Sequence, residues 1–261
     1  MLNFKDCTEL DFTAEGLDKL LFELASSERM AMLRQLKSGR ARLTGVAKIQ
    51  KMSAAEATRH LQRLAEAKLV ERGTDGLYGI TPFGTVVLTE LSGLEFVSRN
   101  KEYFANHDAS RLPREFTERL GEFAEDRFVA SVLGSLDNVD RTIREAQDYI
   151  WILTDQIFKS VTPVLAQKTM MVSDVRLIAP VSVIPPDSKA PIPSTTSGVQ
   201  KRVLKSVEVC VLVTEKYGAF ALPNRRGQMD YTGIGGSDPG TIAWCKDLFL
   251  HYWEMAKPFR G

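Results

Sequence analysis

The chain has 261 residues, 44% of them hydrophobic and 26% charged, with a formal net charge of +1. That length suffices for two domains that each bury a core, and the composition is that of a soluble globular protein. No apolar run approaches the roughly 18–20 residues of a membrane helix, and the amino terminus MLNFKDCTELD lacks a basic-then-apolar signal pattern, so a cytoplasmic protein with no membrane partner is expected. The three cysteines, Cys7, Cys210 and Cys245, are far apart and odd in number. They form neither a disulfide framework nor a C-x-x-C knuckle, and are read as reduced and structural.

In chain order, Ser26 or Ser27 can cap a helix carrying Met30, Leu33 and Leu36 and ending near Gly39. Thr44 can cap a short one carrying Val46 and Ile49 and ending at Lys51-Met52. The next helix starts sharply, because Ser53 and Glu56 match an S-x-x-E capping box, in which each residue satisfies an unpaired amide of the first turn. Ala57, Leu61 and Leu64 then share one apolar face, with Ala54 beside them, which leaves Ala55, Thr58, Arg59, Gln62 and Arg63 pointing outward. Leu69 and Val70 on one side of Gly73–Gly76, with Leu77, Tyr78 and Ile80 on the other, form a hairpin.

Two helices joined by a tight turn and followed by a ribbon are a winged helix-turn-helix, whose second helix enters the DNA major groove. Charge is distributed to match. Residues 26–72 carry eleven Lys and Arg against four Asp and Glu, a net +7, whereas residues 73–148 carry eight against fourteen, a net −6. The basic segment would neutralise phosphates. The expected DNA contacts are Ser53, Ala55, Thr58, Arg59, Gln62 and Arg63 on the helix and Arg72, Thr74 and Tyr78 on the wing. His60, on the flank of that helix, reads as a phosphate contact or core-edge residue.

Thr81-Pro82 opens a further helix with Val87, Leu91 and Leu94 on one face, continuing through Phe96 toward Tyr103. FANHDASR, residues 104–111, is turn-rich and reads as a linker. After Pro113 another helix places Phe116, Leu120 and Phe123 together. These helices either pair across a dimer axis or form an internal core. A helix around SLDNVDRTIREAQ leads into the strand YIWIL, then the helical IFKSVTPVLAQK, the strand VRLIAPVSVI and a Pro-rich surface loop, IPPDSKAPIPSTTSG. VEVCVLV and AFALP form a hairpin turning at 215–218, and PGTIAWCKDLFLHYWEMA closes the chain as a helix with Ile242, Leu248 or Phe249, and Tyr252 or Trp253 toward a sheet. The predicted class is α+β: a winged helix domain over 1–95, a helical linker and possible dimerisation region over 96–135, and an α/β domain over 136–261.

The stretches SSERMAMLRQL, SAAEATRHLQRLAEAKLVER and YGITPFG resemble the archaeal winged helix regulators of the ArsR/MarR kind. REAQDYIWILTDQ, VEVCVLVTEKYGAFALP, NRRGQMDY and WCKDLFLHYW resemble the sensor domain of methanogenesis-type regulators, akin to that of TrmB-like regulators and distantly to a phospholipase D half-domain. The resemblance spans residues 15–256. It implies a transcription factor that binds double-stranded promoter DNA as a homodimer and senses a small-molecule effector.

Phospholipase D chemistry needs an H-x-K-x-x-x-x-D box, and the histidines in RHLQ, NHDA and LHYW do not form one. No clustered Cys and His stand ready for a metal, so neither catalytic residues nor a cofactor are expected. The GxGG of 233–236 precedes a helix and could cradle an anion, but reads more simply as a loop. Because strand ends in α/β sheets carry ligand contacts, Trp151, Asp155, Arg176, Arg202, Asp230 and Trp244 are the candidates for effector binding. Each has a structural alternative: Trp151 and Trp244 as core, Arg202 as an ion-pair partner. The competing function is an enzyme-like α/β domain tethered to a winged helix that serves protein interaction.

Overall fold

The computed structural model describes residues 16–123, 127–129, 132–184 and 199–259. The chain divides into two compact units, the first ending at Glu90 and the second beginning at Leu91. The first contains α1 (Leu17–Leu24), α2 (Ser27–Ser38), α3 (Leu43–Gln50), α4 (Ala54–Glu66), the strands β1 (Val70–Arg72) and β2 (Tyr78–Ile80), and the start of α5 (Pro82–Arg99), which crosses the boundary. The Ser26 hydroxyl caps α2 by accepting the Arg29 amide at 3.3 Å, and Gly39 ends it. α3 differs from expectation. It begins at Leu43 with Arg42 preceding it, so Thr44 lies inside the helix rather than at its cap. Val46 and Ala47 are buried while Ile49 is 63% exposed, because the stripe that meets α2 and α4 does not extend to that side. Met32, Leu33, Leu36, Val46, Leu61 and Leu64 build the core.

α5 buries Val87, Leu88 and Phe96, whereas Leu94, expected on the same face as Val87, stands 58% exposed. The second unit continues with α6 (Lys101–Asn106), a 3-10 turn (Ala109–Arg111), α7 (Arg114–Glu118), a second 3-10 turn (Leu120–Phe123), β3 (Arg127–Val129), α8 (Val132–Glu145), β4 (Tyr149–Leu153), α9 (Thr162–Lys168) and β5 (Asp174–Pro180). It ends with β6 (Val199–Leu204), β7 (Cys210–Thr214), β8 (Gly218–Ala221), β9 (Gly233–Gly236), α10 (Pro239–Met255) and β10 (Lys257–Pro258). One eight-stranded sheet runs β10-β6-β5-β4-β7-β8-β9-β3, with β4, β5 and β6 mutually parallel and the remaining pairs antiparallel.

Strand alternation assigns the two faces. Trp151, Val211, Val213 and Phe220 pack with Trp244, Leu248 and Phe249 of α10, and Ile150, Val175 and Leu212 pack with Ile143 of α8 and Val164 and Leu165 of α9. The segment expected as a linker differs most. Phe96, Tyr103, Phe116, Leu120 and Phe123 are buried in the α10-side core. The Leu222 amide donates to the Tyr103 hydroxyl at 2.9 Å and the Asp108 amide to the Pro223 carbonyl at 2.9 Å, so FANHDASR is pinned to the sheet domain. Burying that much aromatic surface outweighs what its turn-rich composition suggests. GIGG is the strand β9 and not a loop. From residue 185 to 198 the expected Pro-rich loop lies outside the described residues, as does Cys7; Cys210 and Cys245 are free thiols.

Candidate functional site

α4 is built for a fixed start and an open outer face. Its capping box is complete: the Glu56 amide donates to Ser53 Oγ at 3.2 Å, and the Ser53 amide donates to Glu56 Oε2 at 2.9 Å. The Ser53 amide and hydroxyl together hold the Glu56 carboxyl below its ordinary range. Ala57, Leu61 and Leu64 are fully buried, which sets the opposite face toward solvent. There Ala55, Arg59 and Gln62 are exposed, and neither a hydrogen bond nor an ion pair engages the Arg59 or Gln62 side chain among the described residues. Ser53 is exposed but spends its hydroxyl on Glu56, and the half-buried Thr58 donates its own to the Ala54 carbonyl at 2.8 Å. His60 is half-buried at the edge of the core.

Arg63 departs from the expected role. Its Nε donates to Glu23 Oε2 at 2.9 Å and its guanidinium lies 5.1 Å from the Phe22 ring centre. Arg63 and, more weakly, Arg29 at 3.0 Å hold the Glu23 carboxyl below its ordinary range against the cost of burial. The physical reason is α1: its Phe22 and Glu23 offer Arg63 an aromatic face and a carboxylate, so it ties α4 to α1.

The wing pairs Val70 with Ile80 and Arg72 with Tyr78, and a bridge between Ala41 and Tyr78 adds a third, short edge. Gly76 has φ 76°, the left-handed conformation that the tight turn requires. Thr74 at the tip and Arg72 are exposed, and the Arg72 guanidinium sits 5.7 Å from the centre of the half-exposed Tyr78 ring. Arg40 pairs with Asp75 at 3.0 Å and ties the tip to the segment before α3. Sequence reasoning missed it. The trace it left is Gly79, where a Cβ would stand 3.0 Å from Arg40 Cγ.

In the second unit the six effector candidates fall into separate places. Trp244 is fully buried and donates its indole N–H to the Phe116 carbonyl at 3.1 Å, so it is a core residue with no ligand-facing surface. Trp151 is 5% exposed and donates to Asp174 at 3.0 Å. Arg176 lies 4.3 Å over Trp151 and 5.4 Å from Trp253 and donates to Asp174 at 2.8 Å. Arg202 lies 4.4 Å over Trp253 and donates to its carbonyl at 2.6 Å. Trp151, Arg176, Trp253 and Arg202 thus form one stack of indoles and guanidiniums, with Asp174 and the Trp253 carbonyl as its acceptors. Asp230 meets His107 Nε2 at 3.1 Å and the Thr232 hydroxyl at 2.6 Å. Burial alone would raise the Asp230 carboxyl, but Thr232 and His107 outweigh it and hold it below its ordinary range.

Asp155 is the exception, because it stands beside a cavity. The Tyr231 hydroxyl donates to Asp155 Oδ1 at 2.6 Å, and the Cys210 thiol lies 3.6 Å from the same oxygen. Cys210 and Tyr231 both line a cavity of about 140 Å³ on the α8 and α9 face, floored by Leu212, Ala219, Ala221 and Gly233. Burial and the Asp155 carboxylate push the Cys210 thiol up to about 12, and burial and the same carboxylate raise the Tyr231 phenol, so both are neutral. The signal available in the sequence was the run of small residues in GAFA and GIGG, which no periodicity argument weighs. Among the described residues no group of three or more His, Cys, Asp and Glu is placed to hold a metal ion, and no helix is long and apolar enough to cross a membrane.

Residues 17–102 match the sequence profile of the HVO_A0261 N-terminal domain. No curated protein matches the chain. Among solved structures, TrmBL2, described as an archaeal chromatin protein, is similar over 95% of this chain and 100% of its own, with 16% identity and a TM-score of 0.45. NucT from Helicobacter pylori is similar over 52% of this chain and 98% of its own, at 12% identity and a TM-score of 0.40. The homodimeric winged helix-turn-helix domain of Mb0332 from Mycobacterium bovis, a possible ArsR-family regulator, is similar over 39% of this chain and 99% of its own, at 24% identity and a TM-score of 0.31.

Proposed function

We propose that the chain is a DNA-binding transcriptional regulator of the TrmB-like kind, acting in the cytoplasm and without catalysis, whose second unit senses a small-molecule effector. The observation that carries this reading is the outer face of α4, where Arg59 and Gln62 stand exposed and unengaged in the basic segment 26–72. Side chains that a fold leaves unsatisfied on a rigid, capped helix are free to bond base edges in a major groove. Arg72, Thr74 and Tyr78 would follow the backbone or minor groove, while Ser53 and Ala55 lie close to the helix start, where phosphates approach.

A homodimer follows from the small footprint of one winged helix. An apolar stripe on α5 supports it: Phe83, Val86 and Leu94 recur along one side of the helix and are 47%, 58% and 58% exposed. Sedimentation is expected to give twice 29.1 kDa. The operator should be a pseudo-palindrome with half-sites about 10–10.5 base pairs apart, or a multiple of that.

The test is an anisotropy titration of the full chain with DNA from upstream of its own gene. Arg59→Ala should cost about 1–3 kcal/mol and relax preference at one position per half-site if Arg59 reads a guanine edge. An even loss over all sequences, with a salt slope smaller by about one, would instead mark a phosphate contact. Should Arg59→Ala and Gln62→Ala both leave affinity and salt dependence untouched, α4 is not the reading helix.

A further inference from the structure

The cavity on the α8 and α9 face has three properties that together point to a ligand. No charged side chain lines it among the described residues. Three of its polar lining groups are committed within the protein: Thr154 donates to the Gln156 carbonyl at 2.7 Å, Thr162 to the Phe158 carbonyl at 3.1 Å, and Tyr231 to Asp155 at 2.6 Å. The surface left to a guest is mostly apolar, with the neutral amides of Asn138 and Gln156 among the remaining polar groups. An apolar cavity of about this volume has room for one aromatic ring.

The floor is open for a reason that lies in the strands. Register places Ala219 and Ala221 opposite Gly235 and Gly233 on this face, so no side chain longer than a methyl group rises from β8 or β9. A Cβ at Gly233 would stand 2.5 Å from the Phe220 carbonyl, which keeps that position bare. At the rim stands Tyr231, a bulky residue at φ 57°, in the left-handed region that such side chains avoid. That backbone strain is tolerated where it aims the ring edge-on at Phe158, 4.8 Å between centres, with the hydroxyl on Asp155. Strain held at the mouth of a pocket is how ligand clamps are built.

We propose that this cavity binds a small, uncharged, ring-shaped apolar molecule and, resting on the sensor reading above, that it is the effector site. An anion is disfavoured because Asp155 lies immediately behind Tyr231 and Cys210 and no cation lines the cavity to offset it. A guest that shifts the Tyr231 ring also shifts its neighbour Asp230, which holds His107 at the end of α6. The displacement therefore reaches the helices that follow α5.

The three tryptophans, Trp151, Trp244 and Trp253, all lie in the second unit, so intrinsic fluorescence follows its unfolding in the full chain. Toluene at ten times its dissociation constant should raise that midpoint by about 3–6 °C, and benzoate, the same ring with a carboxylate, should not. Ala221→Leu fills the cavity and should abolish the toluene shift; Ala219→Leu, at a half-exposed floor position, serves if the first variant does not fold. No shift with toluene, an equal shift with benzoate, or a shift that survives both filled variants overturns the proposal. All three readings are made without DNA. If toluene binds at this cavity yet leaves DNA affinity unchanged, the sensor reading falls while the binding site stands.

Discussion

The outer face of α4 and the Trp151–Arg176–Trp253–Arg202 stack both bring arginines to a surface, and they use them in opposite ways. On α4 the Arg59 guanidinium has no partner among the described residues, while in the stack each guanidinium lies over an indole and donates to an acceptor. A residue type therefore says little about recognition until its hydrogen bonds are counted. Donors already bonded within the fold are committed to holding it, whereas those that face only water can be exchanged for another molecule at little cost. Arg63 makes the same point within one helix: one turn beyond Arg59, it is held by Glu23 and Phe22.

The contrast can be tested by substitution. The largest effect is expected from Leu61→Ala, on the buried face of α4: roughly 2–5 kcal/mol of unfolding free energy lost from the first unit, read by denaturant titration. An effect below that range would mean the face opposite Arg59 is not a core face. Arg176→Ala removes a cation from two indoles and a bond from Asp174, and should lower the stability of the second unit by about 1–3 kcal/mol. Unaltered stability with a lost effector response would return Arg176 to the ligand-binding role expected from sequence.

Arg63→Ala should give the smallest change. Its ion pair is partly exposed, which limits the expected loss to about 0–1 kcal/mol. DNA affinity and its salt slope should stay near those of the parent chain, unlike Arg59→Ala. Glu23 adds a pH signature. Its folded pKa lies below the ordinary glutamate value, so its contribution is present above that value and is lost as pH falls through the folded pKa. Stability measured across that acid window should flatten in Glu23→Gln. A salt slope that shrinks with Arg63→Ala by as much as with Arg59→Ala would erase the distinction between them.

Local signals were legible wherever a few adjacent residues decide the outcome. Ser53 and Glu56 specify the start of α4, Ala57, Leu61 and Leu64 its buried side, and Gly73–Gly76 the wing turn, because capping, helical period and φ > 0 are settled within a handful of positions. The α+β order of a winged helix unit followed by a mixed-sheet unit was legible for the same reason. FANHDASR is not legible in this way, because a turn-rich composition reports local flexibility, whereas what holds Asp108 and His107 is more than a hundred residues away in Pro223 and Asp230.

The order of residues alone fixes which helix presents polar side chains and where basic charge concentrates. Folding alone ties Arg63 to α1, brings residues of 96–123 into a core, and gives Trp151 and Arg176 the shared acceptor Asp174 and Arg202 the Trp253 carbonyl. It also decided where the sheet leaves an unfilled space, at Ala219, Ala221 and Gly233 beneath Tyr231. The division follows from range: periodicity and capping act over a few positions along the chain, whereas satisfaction of a donor and the filling of a volume depend on groups that only folding brings together.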